Sequence, residues 1–191
     1  MKKRRNKKTP LFIFDMKDNK SKRLAYLLRH DTSYGFDVTG WRYVRDLTQN
    51  HGFTLTELVE IVKNDEKGRY EMTQDLKQIR ALQGHSIPGV EPGLLIATPP
   101  DILYHGTSTR FIDLIHKEGL KKMSRNHVHL SRDLETAEKV GFRHGGDLVI
   151  LEVDCKAMVQ DGYKFWISKN NVWLSQDIPP KYFKEIPSKS L

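Results

Sequence analysis

Apolar positions in the first half of the chain recur at helical spacing. Leu24, Leu27 and Leu28 fall at i, i+3 and i+4 behind Ser21, which predicts a helix capped by Ser21 and ending around Arg29 and His30. Along "GWRYVRDL", Trp41, Val44 and Leu47 are roughly in phase and predict a second helix. Thr54, with Glu57 three residues later, makes a capping box ahead of Leu55, Leu58, Val59 and Val62, which predicts a third. The pattern then shortens to "RYEM" and "IRAL" joined by "TQDLKQ", the signature of a two-stranded hairpin. Three helices followed by a hairpin predict a winged-helix module.

Residues 87–100, "IPGVEPGLLIATPP", are dense in proline and glycine, which break helices and remove strand donors, so they predict a connection between lobes. Beyond them the pattern alternates. Strands are expected at "ILYHG", "HVHL", "DLVILEVD", "KFWIS" and "NVWLS", with helices at "TRFIDLIHKEGL", closed by Gly119, and at "SRDLETAEKV", capped by Ser131. The fold class is therefore α+β. Its expected organisation is a basic tail at 1–20, a helical lobe at 21–86, a linker at 87–100 and a second, mixed lobe at 101–191.

Composition adds a partner class. With a net charge of +8 and 38% hydrophobic residues over 191 positions, the chain has room for ordinary cores and a surplus of cations that attracts polyanions, nucleic acid first among them. Much of that surplus sits in "MKKRRNKK", which reads as a solvated end ahead of a nuclear address or a nucleic-acid arm. Cys155 is the sole cysteine, so no intrachain disulfide can form and a multi-cysteine zinc site is excluded. No apolar run has the length of a membrane span. A cytoplasmic monomer without membrane contact is expected, or a nuclear one if the tail is an address.

Several short stretches could carry chemistry. In "NHVHLS", His127 and His129 would share one face of a strand, an arrangement open to a metal, a nucleotide or a packed core. No HExxH helix or third ligand of fixed spacing accompanies them, so no metal is expected. "LYHGTS" ends an apolar strand in His105, Gly106 and Thr107, where a glycine permits close backbone approach and the flanking groups offer a ring and a hydroxyl. An ordinary strand end before a helix cap reads equally well. Arg29 and His30 at a helix end complement the helix dipole, which by itself explains them. A phosphate site would need further cations, for which Arg69, Arg80 and Arg125 are available.

Taken in order, "LLRH", Gly40–Trp41, "GRY", "IRALQGHS", "LYHGTS", "EGL", "RNHVHLS", "KVGFRHGG" and "NVWLSQDIPP" resemble the RNA 2′-phosphotransferase family, NAD-dependent enzymes that remove the splice-junction 2′-phosphate from tRNA. The resemblance runs from about Ser21 to Phe183. It implies a winged-helix lobe for RNA and an ADP-ribosyltransferase-like lobe for NAD, consumed as co-substrate with no metal. It also implies a catalytic quartet of Arg29, His30, Arg69 and Arg125. His105, Gly106, Thr107, His129, Ser131 and Arg143 would contact NAD, and Arg80, His85 and Ser86 would line the cleft. Val172 would stand where many protein-modifying relatives place a glutamate.

The missing glutamate has a physical reason. A phosphate monoester, with its second pKa near ~6, arrives mostly dianionic and needs a cationic clamp rather than a base. The implied reaction has two steps: the RNA 2′-phosphate displaces nicotinamide, and the ribose O2″ then attacks phosphorus, giving RNA with a 2′-OH and ADP-ribose 1″,2″-cyclic phosphate. Two positions depart from the family pattern: "RHDTSYG" lacks a proline usual after "LRH", and Asn171 replaces a glycine in a turn that asparagine tolerates. The alternatives are ADP-ribosylation of terminal nucleic-acid phosphates, stopping after the first step, and a non-catalytic RNA-binding protein.

Overall fold

The computed structural model describes the backbone of residues 11–186 and the side chains of 19–143 and 145–186; the basic run "MKKRRNKK" lies outside the described residues. Helix α1 (Leu11–Arg29) starts ten residues before Ser21, so Ser21 is an interior helical residue rather than a cap. No glycine or proline lies between Leu11 and Arg29, and nothing local ends the helix earlier. The second half of the segment read as a tail is accordingly helical. The Ser21 carbonyl accepts a hydrogen bond from Tyr70 Oη at 3.2 Å.

The predicted second helix is split. Arg42–Tyr43 form a short strand, β1, and only Val44–Asn50 are helical, as α2. Tertiary pairing wins over helical phase here: β1 pairs with residues 78–79 of the coming hairpin, and the Arg42 guanidinium, 1% exposed, is tied to Asp31, to Asp46 and to the Leu27 carbonyl at the end of α1. Helix α3 (Leu55–Lys63) carries the expected capping box, with Glu57 N–H donating to Thr54 Oγ1 and Thr54 N–H donating to Glu57 Oε2. Strands β2 (Tyr70–Met72) and β3 (Gln78–Ala81) form the hairpin, and the antiparallel sheet order is β1-β3-β2. Leu24, Leu27, Leu28, Val44, Leu47, Phe53, Leu58, Tyr70, Ile79 and Ala81 close the first core.

The proline- and glycine-rich stretch is more than a connection. Leu95–Ile96 form strand β4 and pair with β8 (Phe165–Ile167), while Val90 is buried. The second core lies between two antiparallel sheets and their helices. One sheet orders β10 (Phe183–Ile186), β7 (Leu148–Asp154) and β5 (Ile102–Ser108); the other orders β4, β8, β9 (Trp173–Ser175) and β6 (Val128–Leu130). An isolated bridge at Tyr104–Ser131 links β5 to the end of β6, and a second, Leu120–Ile178, ties the chain ahead of β6 to the segment after β9. Helix α4 (Thr109–Glu118) ends at Gly119 with φ 87°, as expected.

Helix α5 (Leu134–Gly141) is capped by Asp133, whose carboxylate accepts from Thr136 N–H, and not by Ser131. Ser131 is still in extended backbone, exchanging hydrogen bonds with Tyr104 at 2.9 and 2.7 Å. Helix α6 (Cys155–Gln160) and strand β10 carried no distinct sequence signal. Asn171 adopts φ 61°, the left-handed turn that glycine would otherwise supply.

Candidate active site

Arg29 and His30 end α1, where the Arg29 carbonyl accepts from Ser86 N–H at 3.0 Å and docks the helix end against residues 83–86. The Arg29 guanidinium lies on Gly84, φ 88°, where a Cβ would come within 3.3 Å of Nε. Its Nε and Nη2 are enclosed and meet no hydrogen-bond partner among the described residues. His30 Nδ1 stands 2.9 Å from Ser86 Oγ. Arg69 enters from the turn before β2, its Nε and Nη2 donating to Asp65 Oδ1 at 2.8 and 2.7 Å, with Asp65 itself 2% exposed. An aspartate so placed fixes the guanidinium's direction.

Arg125 comes from the second lobe. Asn126 staples that loop across the lobe boundary: its N–H donates to the His85 carbonyl at 2.8 Å, and its Nδ2 to the Ile87 and Val90 carbonyls at 2.9 and 3.1 Å. Burial lowers the pKa of Arg29, and the charges of Arg125 and Arg69 lower it further. Burial, then Arg29 and Arg125, likewise lower His30, which favours its neutral form. Arg29 thus feels the like charges of Arg125 and Arg69, and His30 those of Arg29 and Arg125. An unpaired, desolvated cation among like charges is costly unless an anion completes the site.

The residues expected around NAD separate into two groups. His105 and His129 meet across β5 and β6, His105 Nδ1 lying 3.0 Å from the His129 carbonyl. His129 Nδ1 is 3.1 Å from the His127 carbonyl, and its Nε2 is 2.9 Å from the side-chain amide of Gln83. His127 instead packs on Trp166, ring centroids 5.0 Å apart. His127 and His129 line a joint of only about 10 Å³ with His85 and Asn126, and no group of three or more His, Cys, Asp or Glu among the described residues is arranged to hold a metal.

What approaches the Gly106 backbone is a helix, since a Cβ there would lie 1.9 Å from the Ala137 carbonyl oxygen of α5. Thr107 is buried, Ser131 serves the bridge to Tyr104, and Val172 N–H donates to Ser168 Oγ at 3.0 Å just before β9. Arg143 is exposed on a 3-10 turn, and its charge reaches Lys67: burial lowers the Lys67 pKa, and Arg143 and Arg69 add to that. Lys67 therefore extends the basic rim of the cleft, and its place in "KGRY" could have flagged it.

Arg80 is committed to structure. It lies over Trp41 at 4.5 Å, pairs with Glu71 and donates to the Thr39 carbonyl at 3.1 Å. Gln83, Asp65 and Asn126 were missed because nothing in their local sequence announces a partner 36 to 46 residues away or a role in aiming another side chain. Buried Cys155 has its thiol pushed up to about 12 by burial and is no nucleophile at neutral pH.

The buried histidines give stability a pH dependence. Burial, then the charge of Arg29, pushes His85 down to about 4; burial, then Arg125 and Arg29, pushes His129 down to about 3. Both bind protons more readily when unfolded, so their stabilisation is complete above about pH 6.5 and is lost as pH falls towards those values. Urea unfolding is expected to show a constant midpoint from pH 8 to 7, then a loss of roughly 1–2 kcal/mol per unit between pH 6 and 4. A flat profile over that window would contradict the neutral, enclosed histidines. Asp31, held at about 2 against its burial by hydrogen bonds from Ser33 and Arg42, stabilises the fold at neutral pH and loses that contribution only as pH falls below about 4 towards 2.

The chain has two hydrophobic cores, one in each half, and Arg29 of the first half feels the charge of Arg125 from the second. The sequence profile of the family described as RNA 2′-phosphotransferase, Tpt1 / KptA family, matches residues 15–177, and the chain belongs to that family of transferases. It is similar to proteins named "Probable RNA 2'-phosphotransferase" from Fusobacterium nucleatum and Flavobacterium johnsoniae. The first is 43% identical over 84% of this chain and 94% of the relative, the second 46% identical over 86% and 93%. One of the same name from Hahella chejuensis is 44% identical over 86% of this chain and 91% of the relative.

Proposed function

We propose that the protein transfers an internal RNA 2′-phosphate to NAD, giving 2′-OH RNA, nicotinamide and ADP-ribose 1″,2″-cyclic phosphate through an ADP-ribosylated RNA intermediate. The helical lobe (21–86) acts as a winged helix on the RNA, and the second lobe (101–191) as the ADP-ribosyltransferase-like partner for NAD. The observation that carries the reading is the enclosed, unpartnered Nε and Nη2 of Arg29 beside two further arginines. A phosphate dianion supplies the missing acceptors and the missing charge in one group.

Arg29, Arg69 and Arg125 hold the phosphate oxygens and aim one of them at C1″; its electron pair forms the new C–O bond as the bond to nicotinamide breaks. They then disperse the charge that develops when O2″ attacks phosphorus. His30 is neutral in the empty site and is steadied by Ser86. It takes the O2″ proton and delivers it to the departing RNA 2′-oxygen, so the proton count closes within the cleft. Bound phosphate makes this easier, because its negative charge opposes the two arginines that depress His30. His105, Thr107 and His129 support the NAD ribose side of the cleft, with Gly106 and Ser131 shaping its strands. Arg143, with Lys67, attracts a pyrophosphate or backbone phosphate at the rim. What supports the NAD assignment is the family motif set and the meeting of His105 with His129.

Incubation with NAD and a short RNA bearing one internal 2′-phosphate, followed by separation of the products, tests the reading. Nicotinamide and ADP-ribose cyclic phosphate in equal amounts are expected. Product accumulating as RNA phospho-ADP-ribose would instead support a transferase that stops after the first step, and an unchanged RNA would refute both.

A further inference from the structure

The first lobe carries a second hollow, outside the arginine cleft. It is an open surface hollow of about 370 Å³ lined by Tyr34, Tyr43, Arg45, Asp46, Gln49 and Asn50. Tyr43 is 52% exposed although it sits in a strand next to a buried arginine, and Arg45 lies 6.0 Å from its ring centroid. Tyr34 forms the opposite wall. It is held there by the Arg42 guanidinium 4.6 Å from its ring, and its Oη accepts from Tyr43 N–H at 3.1 Å.

We infer that this hollow takes one unpaired nucleotide of the RNA strand that carries the 2′-phosphate; the inference rests on the proposed RNA substrate. Two tyrosine faces and a guanidinium make a stacking platform that accepts any base. The exposed Gln49 amide offers a donor and an acceptor to a base edge. Asp46 is already bound by Arg42 and by Asn50 Nδ2, and its negative charge keeps phosphates off the floor of the hollow. The base therefore enters and its phosphate turns outward to Arg45.

Position supports the same strand. Tyr34 follows His30 by four residues, an extended reach of at most about 14 Å. The intervening Asp31 is fixed by Arg42, the same side chain that props Tyr34. A strand anchored by its 2′-phosphate at His30 can thus lay a base a few nucleotides away into the hollow.

The test compares the full-length chain with Tyr43→Ala, Tyr43→Phe and Gln49→Ala. Each binds two fluorescent RNAs, a dinucleotide with an internal 2′-phosphate and a single-stranded octanucleotide with the same group at its centre. Anisotropy gives the affinities. Tyr43→Ala is expected to weaken the octanucleotide about tenfold and leave the dinucleotide unchanged, with Tyr43→Phe close to wild type and Gln49→Ala intermediate. Equal affinities for the octanucleotide in all four proteins, or equal losses for both RNAs in Tyr43→Ala, would overturn the assignment. Failure of wild type to release 2′-phosphate from either RNA would count against the phosphotransferase reading alone, because the hollow is read from binding.

Discussion

Replacing Arg29 with methionine is expected to yield a protein that is more stable than the parent and nearly inactive. The guanidinium is enclosed against Gly84, two of its nitrogens lack acceptors among the described residues, and Arg125 and Arg69 add repulsion. Methionine fills similar space without the charge, so urea unfolding in the absence of ligand should gain about 1–2 kcal/mol. Phosphate release from 2′-phosphorylated RNA should fall on the order of 10² to 10³, the usual effect of removing one donor to developing charge. Inorganic phosphate should raise the unfolding midpoint of the parent and not of the variant, since only the parent keeps the full clamp. A destabilised variant with intact turnover would make Arg29 a structural residue and remove the main support for a phosphate site here.

The largest stability effect is expected from Gly106→Ala. Its new methyl would sit 1.9 Å from the Ala137 carbonyl oxygen and 2.8 Å from Gly141 N, both backbone atoms, so neither can rotate away. Helix α5 would have to lift from β5, which pairs along its whole length with β7 in the second core. A loss of about 3–5 kcal/mol is expected in urea or thermal unfolding. Gly141→Ala is the milder change on the facing side: its methyl would meet Leu148 Cδ1, the tip of a flexible side chain, at 2.3 Å and the Gly106 backbone at only 3.2 Å, and the cost should be about 1–3 kcal/mol. Equal, small losses in both would mean that α5 does not rest on the glycine at all.

The same pair shows how sequence and structure divide the information. "LYHGTS" announced a glycine where backbone comes close, and the structure supplies α5 as the neighbour where a ligand was equally conceivable. Ser131 shows the converse. Its residue type suits a cap, but two backbone hydrogen bonds to Tyr104 hold it in extended chain, and the cap passes to Asp133. Arg42 shows why the second helix was read too long, because a buried guanidinium with partners on α1 and α2 decides the backbone locally against the helical phase. Arg80, one arginine among several to the sequence, is taken up by Trp41 and Glu71, and only the fold reveals that it is committed.

By itself the sequence determined the α+β class, the capped third helix, the hairpin and most strands of the second half, and its ordered motifs pointed to the family. These are properties of local periodicity, turn chemistry and residue type, which neighbours along the chain settle. Tertiary structure decided that buried Arg29 feels the charges of Arg125 and Arg69, that Asp65 pairs with Arg69, that Asn126 ties the loop beside Arg125 to residues 85–90, and that His127 and His129 close a joint. Convergence of charges from opposite lobes depends on long-range packing, and no spacing along a chain encodes the distance between residues that the fold alone brings side by side.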